Sequence, residues 1–466
     1  MTTYLLGMDG LDKEIIRENI EEFPNFQKLS IRGLNSITPP ITVPAWACSF
    51  SGLNPDKLGS FDFQMPSRDY EFSPVNHRNF TSKGFWNHWN DKTALMDVPG
   101  AGAPELDGYS VGGFFHFGNL QTYPEELKQE MEDDLGQVEI TSMSDLNSEK
   151  ERRKTAYEIF DTRKRVFDWL RKKDSDVYFT VFRLPDTMMH HTDKEEDMVE
   201  AYREVDEYVG EILDGADEDD NIFVFSDHGA AYAENRFFLN TWLRENNFLE
   251  QKKEDENSLV DDLAMKIADI GQRFGLRDLL VYVNNITQDT IDKDFAPKKG
   301  KALESIDFEK SKAFSYMTGV CAYGGIWIND QRFENGIVED TEDTKEDIVE
   351  KLEAREEVVK VHRREELYDE DVEMFPDLVA ELDEKYKVDL GFHPDIVTNV
   401  GNYMHRKEGV LMANRDAEDL DADLIDIAPT LLHLHGYPVP NNLDGKVLFE
   451  EEDVKTQEGD VAGLDI

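Results

Sequence analysis

Three aspartates directly follow short apolar runs: Asp9 in LLGMDG, Asp186 in VFRLPD and Asp227 in VFSDHG. Each run reads as a buried strand, so each carboxylate falls just past a strand's carboxyl end, where open α/β sheets bind ligands. One such aspartate carries little weight, because Asp commonly starts a turn or caps a helix there. Two of the three, however, come with histidines. His190 lies four residues after Asp186, a spacing that puts carboxylate and imidazole on one helix face. Asp227-His228-Gly229 is a second pair, and its glycine permits close backbone approach. Mixed carboxylate and imidazole donors suit a divalent ion such as zinc, with manganese also tolerated. His191 points away from His190 on a helix and reads as a surface or supporting residue.

A candidate nucleophile lies in 39–52, PPITVPAWACSFSG. Pro44 suits the first turn of a helix and Gly52 its end. Thr42 then stands at the helix N-terminus, where backbone N–H groups and the dipole favour an anion. A threonine hydroxyl is a poor nucleophile until a base or metal lowers its pKa. A metal held by Asp9, Asp227 and His228 would do that, although this segment alone is equally compatible with Thr42 as a plain cap residue.

The elements that must position these groups follow an α/β pattern. Apolar runs at Thr3–Met8, 93–98, Val177–Phe182 and 222–225 alternate with amphipathic stretches at 152–171 and 197–213. The pattern predicts a mainly parallel central sheet with helices on both faces. The charged, helix-patterned stretch 251–305 reads as an inserted lid and the charge-dense 338–390 as a small cap. The catalytic core then comprises 1–250, 306–337 and 391–449, and 450–466 is an acidic tail.

The chain has 466 residues, with 100 Asp and Glu against 50 Lys and Arg. A net charge of −50 spread along the whole sequence differs from an acidic tail and predicts a cytosolic protein of a salt-accumulating halophile. At molar salt the screening length falls to about 3 Å, which quenches the self-repulsion. The same charge disfavours nucleic acid and anionic membranes as partners. Cys48 and Cys321 are the only cysteines, so neither a disulfide framework nor a cysteine-based zinc site is expected. No apolar run approaches the roughly 18 residues of a membrane span, and the chain opens directly on an expected core strand with no signal peptide.

The ordered segments LLGMDG, ITVPAWACSFSGLNPDKLGSFDF, LPDTMMH, VFSDHGA and MHRKEGVLM resemble the alkaline phosphatase superfamily, and within it the type I phosphodiesterase and nucleotide pyrophosphatase branch. Residues 425–445 are similar to that branch's C-terminal signature, and the segments FFLNTWLRENNFL and SKAFSYMTGVCAYGGIWIN extend the likeness over nearly the whole chain. The resemblance implies one metal on Asp9, Asp227, His228 and Thr42, and another on Asp186, His190 and His405. His405 enters through the resemblance only, since nothing in its spacing separates it from the other histidines. Two metals about 4 Å apart clamp the attacking and leaving oxygens of an in-line displacement. The implied reaction is hydrolysis of a phosphate ester through a phosphothreonine at Thr42, on a small-molecule substrate.

Two departures narrow this expectation. Many relatives have His before Gly in the loop after the nucleophile helix, where this chain has Leu58-Gly59. The nucleotide pyrophosphatases carry an Asn that donates to a phosphate oxygen, and Phe63 occupies the matching position. Loss of such a donor often costs about 3 kcal/mol of transition-state stabilisation. His116 is a candidate substitute, and equally a core-edge histidine. A phosphomonoesterase, a phosphoglycerate-mutase-like transferase and an inactive binding protein are the competing possibilities. A sulfatase is disfavoured, because Thr42 cannot form the formylglycine aldehyde and TVPAW holds no Arg.

Overall fold

The computed structural model describes residues 1–75, 84–112, 120–138, 148–252, 303–317, 319–369, 372–416, 421–449 and 454–457. Most of the expected lid and of the acidic tail lies outside the described residues. The strands of the main sheet are β1 (Thr3–Met8), β2 (Ser30–Asn35), β3 (Thr93–Met96), β4 (Gly108–Gly112), β5 (Gln121–Tyr123), β6 (Val177–Phe182), β7 (Asn221–Phe225) and β8 (Glu408–Ala413). Their spatial order is β2-β8-β7-β1-β6-β3-β4-β5. The five consecutive strands β7, β1, β6, β3 and β4 are parallel. The antiparallel pairings of β8 with β7 and β2, and of β5 with β4, close the two sides.

The sheet is central because its strands are apolar on both faces. In β1, Leu6 and Met8 face one core with Phe160 and Phe167 of α2 (Glu149–Leu170) and Tyr202, Val205 and Val209 of α4 (Glu195–Gly215). Leu5 faces the other core, with Trp46 of α1 (Thr42–Ser51) and Ile427 and Leu431 of α5 (Ile427–Leu434). The remaining helix of this set, α3 (Leu184–His191), follows β6 at once. The expected elements lie where periodicity put them, with shifted ends. Helix α2 starts at Glu149 because the Ser148 side chain accepts the Glu151 N–H as a cap. Strand β3 stops at Met96, since Asp97 adopts a positive φ of 54° that ends the extended run.

A second core surrounds a four-stranded antiparallel sheet ordered Ala313–Ser315, Tyr323–Ile328, Leu378–Leu382, Val358–Arg363. Phe314, Trp327 and Phe375 are buried there. The charge-dense stretch 338–390 thus shares its sheet with residues 313–328, and its charge marks the outward faces of the Thr341–Glu353 helix and the Val358–Arg363 strand. Between the two sheets, strand Gly229–Phe238 pairs antiparallel with Val397–Arg406 and parallel with Tyr386–Asp389, which sets Ala230 opposite His405.

Helix α1 is held down through a missing side chain. A Cβ on Gly7 would lie 2.5 Å from Cη2 of Trp46 and 2.8 Å from Cγ2 of Val181, so only glycine lets that edge of the indole approach β1 so closely. The ring also meets Phe179 and Phe225, with centroids 6.4 and 5.3 Å away. Replacing Gly7 by Val should overpack this contact and destabilise the protein by about 1–3 kcal/mol. Urea unfolding monitored by tryptophan fluorescence measures it, and an unchanged midpoint would contradict the packing account.

Candidate active site

Backbone hydrogen bonds bring two of the three aspartates together before any side-chain contact is counted. Asp9 N–H donates to the carbonyl of Phe182, and Asp186 N–H donates to the carbonyl of Asp9, both at 2.9 Å. The ends of β1 and β6 are thereby stitched side by side. Gly10, at φ 74°, allows this, because a Cβ there would stand 3.0 Å from the Asp186 Cα. Its N–H donates to Asp227 Oδ1 at 3.3 Å and draws in the residue that follows β7.

The histidines arrive by two routes. His190 sits on α3 with Asp186, its Nε2 3.0 Å from Asp186 Oδ1, as the four-residue spacing predicts. His405 comes from the far end of the chain on the strand paired with Gly229–Phe238. Its Nδ1 lies 2.9 Å from the Pro40 carbonyl, and its Nε2 lies 3.1 Å from His190 Nε2 and 3.6 Å from Asp186 Oδ1. His228 Nδ1 lies 3.0 Å from the Gly229 carbonyl. Its Nε2 is 3.4 Å from Asp9 Oδ1, 3.5 Å from Asp227 Oδ2 and 3.4 Å from Thr42 Oγ1. Thr42 is the first residue of α1, as expected for an anion-facing helix start. The sequence-derived candidates Asp9, Thr42, Asp186, His190, Asp227, His228 and His405 therefore converge on one place, and all but His190 are buried.

The chemistry of this donor set fits cations. A carbonyl only accepts, so the Nδ1 atoms of His228 and His405 carry the proton and their Nε2 lone pairs face inward. In the neutral form those lone pairs would meet carboxylate oxygens, acceptor against acceptor, unless a cation or a second proton lies between them. Among the described residues, both oxygens of Asp9, Asp186 Oδ1 and Asp227 Oδ2 are buried and accept no hydrogen bond. Unsatisfied buried carboxylate oxygens are costly unless a cation or donor meets them. Two groups have the closeness to hold one ion each: Asp186, His190 and His405, and Asp9, Asp186 and His228, the donor atoms of each lying within 4.8 Å of one another. Asp186 is common to both, and Asp227 and Thr42 border the second.

Without cations the same crowding perturbs protonation. Burial pulls the His228 pKa down, but the charges of Asp227 and Asp9 outweigh it and push it up to about 10. His405 goes the other way, to about 3, through burial and the neighbouring charge of His228. Burial and the charge of Asp9 raise Asp227 well above the usual carboxylate range. Burial opposes ionisation of Asp186 too, yet His190, His405 and Arg183 hold its pKa well below that range.

Arg183 is the site residue that sequence reasoning missed. Its Nη2 lies 3.0 Å from Asp186 Oδ2 and its Nε 3.5 Å from Asp9 Oδ2. The only signal was an Arg three residues before Asp186 at a strand end. The orienting carbonyl of Pro40 left none, being backbone. His191 turns from the cluster to Glu149 Oε2 at 2.8 Å. The Phe63 ring packs half-buried against the two neighbouring cores, and its N–H donates to Asp62 Oδ1 at 2.6 Å, so its backbone donor is engaged. Gly59 ends the Pro55–Leu58 turn at φ 76°. His116 lies outside the described residues.

Solved structures share this architecture. Phosphonoacetate hydrolase from Sinorhizobium meliloti 1021 is similar in its complex with phosphonoacetate (TM-score 0.54, 12% identity, 92% of this chain and 94% of that chain). Its complex with phosphonoformate is similar too (TM-score 0.53, 12% identity, the same 92% and 94% coverage). Murine ectonucleotide pyrophosphatase/phosphodiesterase 5 aligns over 95% of this chain and 98% of its own at 12% identity, with a TM-score of 0.49. At such identities the likeness shows the fold alone. A comparison with curated protein sequences gives no significant match. Fold and site together define a metal-dependent hydrolase of the phosphodiesterase/phosphatase type, within the alkaline phosphatase superfamily. Residues 3–411 match the family profile of type I phosphodiesterase / nucleotide pyrophosphatase, and the chain belongs to that family. Among the described residues no helix is long and apolar enough to cross a membrane.

A metal ion held by His228 would have to displace the proton that the charges of Asp227 and Asp9 favour there by pushing its pKa up to about 10. Metal affinity of the metal-free protein should therefore rise about tenfold per pH unit between roughly 7 and 9. Calorimetric titration in buffers of different ionisation enthalpy should register about one proton released. Release near zero at pH 7.5 would contradict the protonation assignment.

Proposed function

We propose that this protein hydrolyses phosphate esters of small molecules through a covalent phosphothreonine at Thr42. The supporting observation is the gathering of unsatisfied oxygens of Asp9 and Asp227 around His228 Nε2, which itself lies 3.4 Å from the Thr42 hydroxyl at the start of α1. When bound, two divalent ions supply Lewis-acid chemistry, lowering the pKa of the attacking hydroxyl and stabilising the charge on the leaving oxygen. Asp9, Asp227, His228 and Thr42 would hold one ion, and Asp186, His190 and His405 the other. Zinc suits this oxygen and nitrogen set, with manganese as the alternative.

The chain's own residues perform the remaining steps. Thr42 Oγ1 attacks phosphorus and loses its proton to solvent, and the bond to the leaving oxygen breaks, that oxygen departing as an alcohol or phenol after taking up a proton from water. The N–H groups of Thr42 and Val43 at the start of α1, ahead of Pro44, would favour the charge of the phosphoryl oxygens. Water then attacks the phosphothreonine from the vacated side, releasing phosphate or a phosphomonoester and restoring the hydroxyl. Phe63 offers no side-chain donor, which favours a general phosphoester hydrolase over a nucleotide-specific one.

Bis-p-nitrophenyl phosphate or p-nitrophenyl phosphate should be turned over with zinc or manganese. Thr42→Ala should lower kcat by at least roughly a thousandfold, about 4 kcal/mol, while two ions per chain remain by elemental analysis. Wild-type turnover by the variant would remove Thr42 from the mechanism. Metal-loaded wild type inert to a broad phosphoester and sulfoester panel would instead favour a binding protein.

The acidic composition supports a salt-rich cytosol as the setting. Turnover should therefore rise from low salt to molar potassium chloride as self-repulsion and substrate repulsion are screened. Activity that falls monotonically with salt would oppose this.

A further inference from the structure

Arg183 makes a contact pattern that charge balance does not require. It stands at the junction of β6 and α3, its Nη2 donating to Asp186 Oδ2 at 3.0 Å and its Nε within ion-pair reach of Asp9 Oδ2 at 3.5 Å. The four oxygens of these carboxylates are partitioned. Asp186 Oδ1 faces His190 and His405 while its Oδ2 faces Arg183; Asp9 Oδ1 faces His228 while its Oδ2 faces Arg183. Every oxygen turned from the guanidinium is thus turned toward an imidazole.

Two divalent cations already exceed the charge of the three buried carboxylates, so an added positive group weakens electrostatic attraction for the ions. The arginine must contribute through geometry. A planar guanidinium with donors on separate nitrogens can hold two carboxylates at once, whereas a lysine ammonium is a single point charge on a flexible stem. Residues that orient ligands from behind commonly contribute ten- to a hundredfold in metal affinity.

We propose that Arg183 is a positioning residue of the metal centre, anchoring Asp186 Oδ2 by a hydrogen bond and drawing Asp9 Oδ2 by charge, so that each carboxylate presents its other oxygen to the ion. This inference rests on the two-cation reading above. It assigns Arg183 no contact with substrate.

The test compares the full-length wild type with Arg183→Lys and Arg183→Met. Each is stripped of metal, checked by circular dichroism and titrated with zinc against a chromophoric chelator. Two sites are expected in the wild type. Both variants should lose affinity at one or both sites by roughly ten- to a hundredfold, with Lys rescuing little of the loss. Arg183→Gln replaces either variant that fails to fold. Wild-type affinity in the Met or Gln variant, or tighter binding, overturns the proposal, since the arginine would then act only as a repelling charge. Full rescue by Lys also overturns it, because a bridging fork would not be needed. Two sites in the wild type with unaltered variants overturn this inference alone, whereas a wild type that binds no zinc overturns it together with the proposed function.

Discussion

Three carboxylates buried side by side at the end of one sheet are the constraint around which the molecule is arranged. Asp9, Asp186 and Asp227 are almost fully shielded from water. Placing like charges together in a dry site is strongly unfavourable unless cations join them. The opposed pKa shifts of neighbouring groups, with His228 and Asp227 pushed up and Asp186 and His405 pushed down, are the signature of that frustration. Such divergence within a cluster is a mark of sites that do chemistry.

The surrounding structure supplies what this arrangement needs. Backbone bonds from Asp9 to Phe182 and from Asp186 to Asp9 fix two carboxylates by main chain, which leaves their side chains little freedom to escape. The Pro40 and Gly229 carbonyls set the tautomers of His405 and His228, aiming both Nε2 atoms inward. Trp46, seated on Gly7, locks the helix that carries Thr42 onto the same central strand. Thr42 and the candidate ligands therefore share one frame, the preorganisation that the proposed in-line displacement would use.

The acidic surface and the metal centre act in opposite senses on an anionic substrate. A net charge of −50 repels phosphoesters at long range. Within the site, two divalent ions and Arg183 would reverse the local sign. The balance between the two fields is governed by ionic strength, because exposed charges are screened by salt and buried ones far less. Phe63 packs half-buried against its hydrophobic neighbours and brings no side-chain donor.

The sequence by itself determined the elements and the local pairs. Strands β1, β6 and β7 are continuous apolar runs, so their aspartates could be placed at strand ends. Asp186 and His190 are joined by helical spacing, and Thr42 by Pro44 and Gly52 around one short helix. Periodicity reports such features because they depend on neighbours within a few residues. It could not report that 338–390 contributes two strands to the sheet that contains Ala313–Ser315 and Tyr323–Ile328, since strand pairing is non-local. His405 needed family resemblance, and only the pairing of Val397–Arg406 with Gly229–Phe238 explains how it reaches Asp186 from 219 residues away in the chain. Arg183 and the Pro40 carbonyl belonged to tertiary structure alone. Their roles depend on the ångström-scale approach of segments whose sequences hold no record of one another.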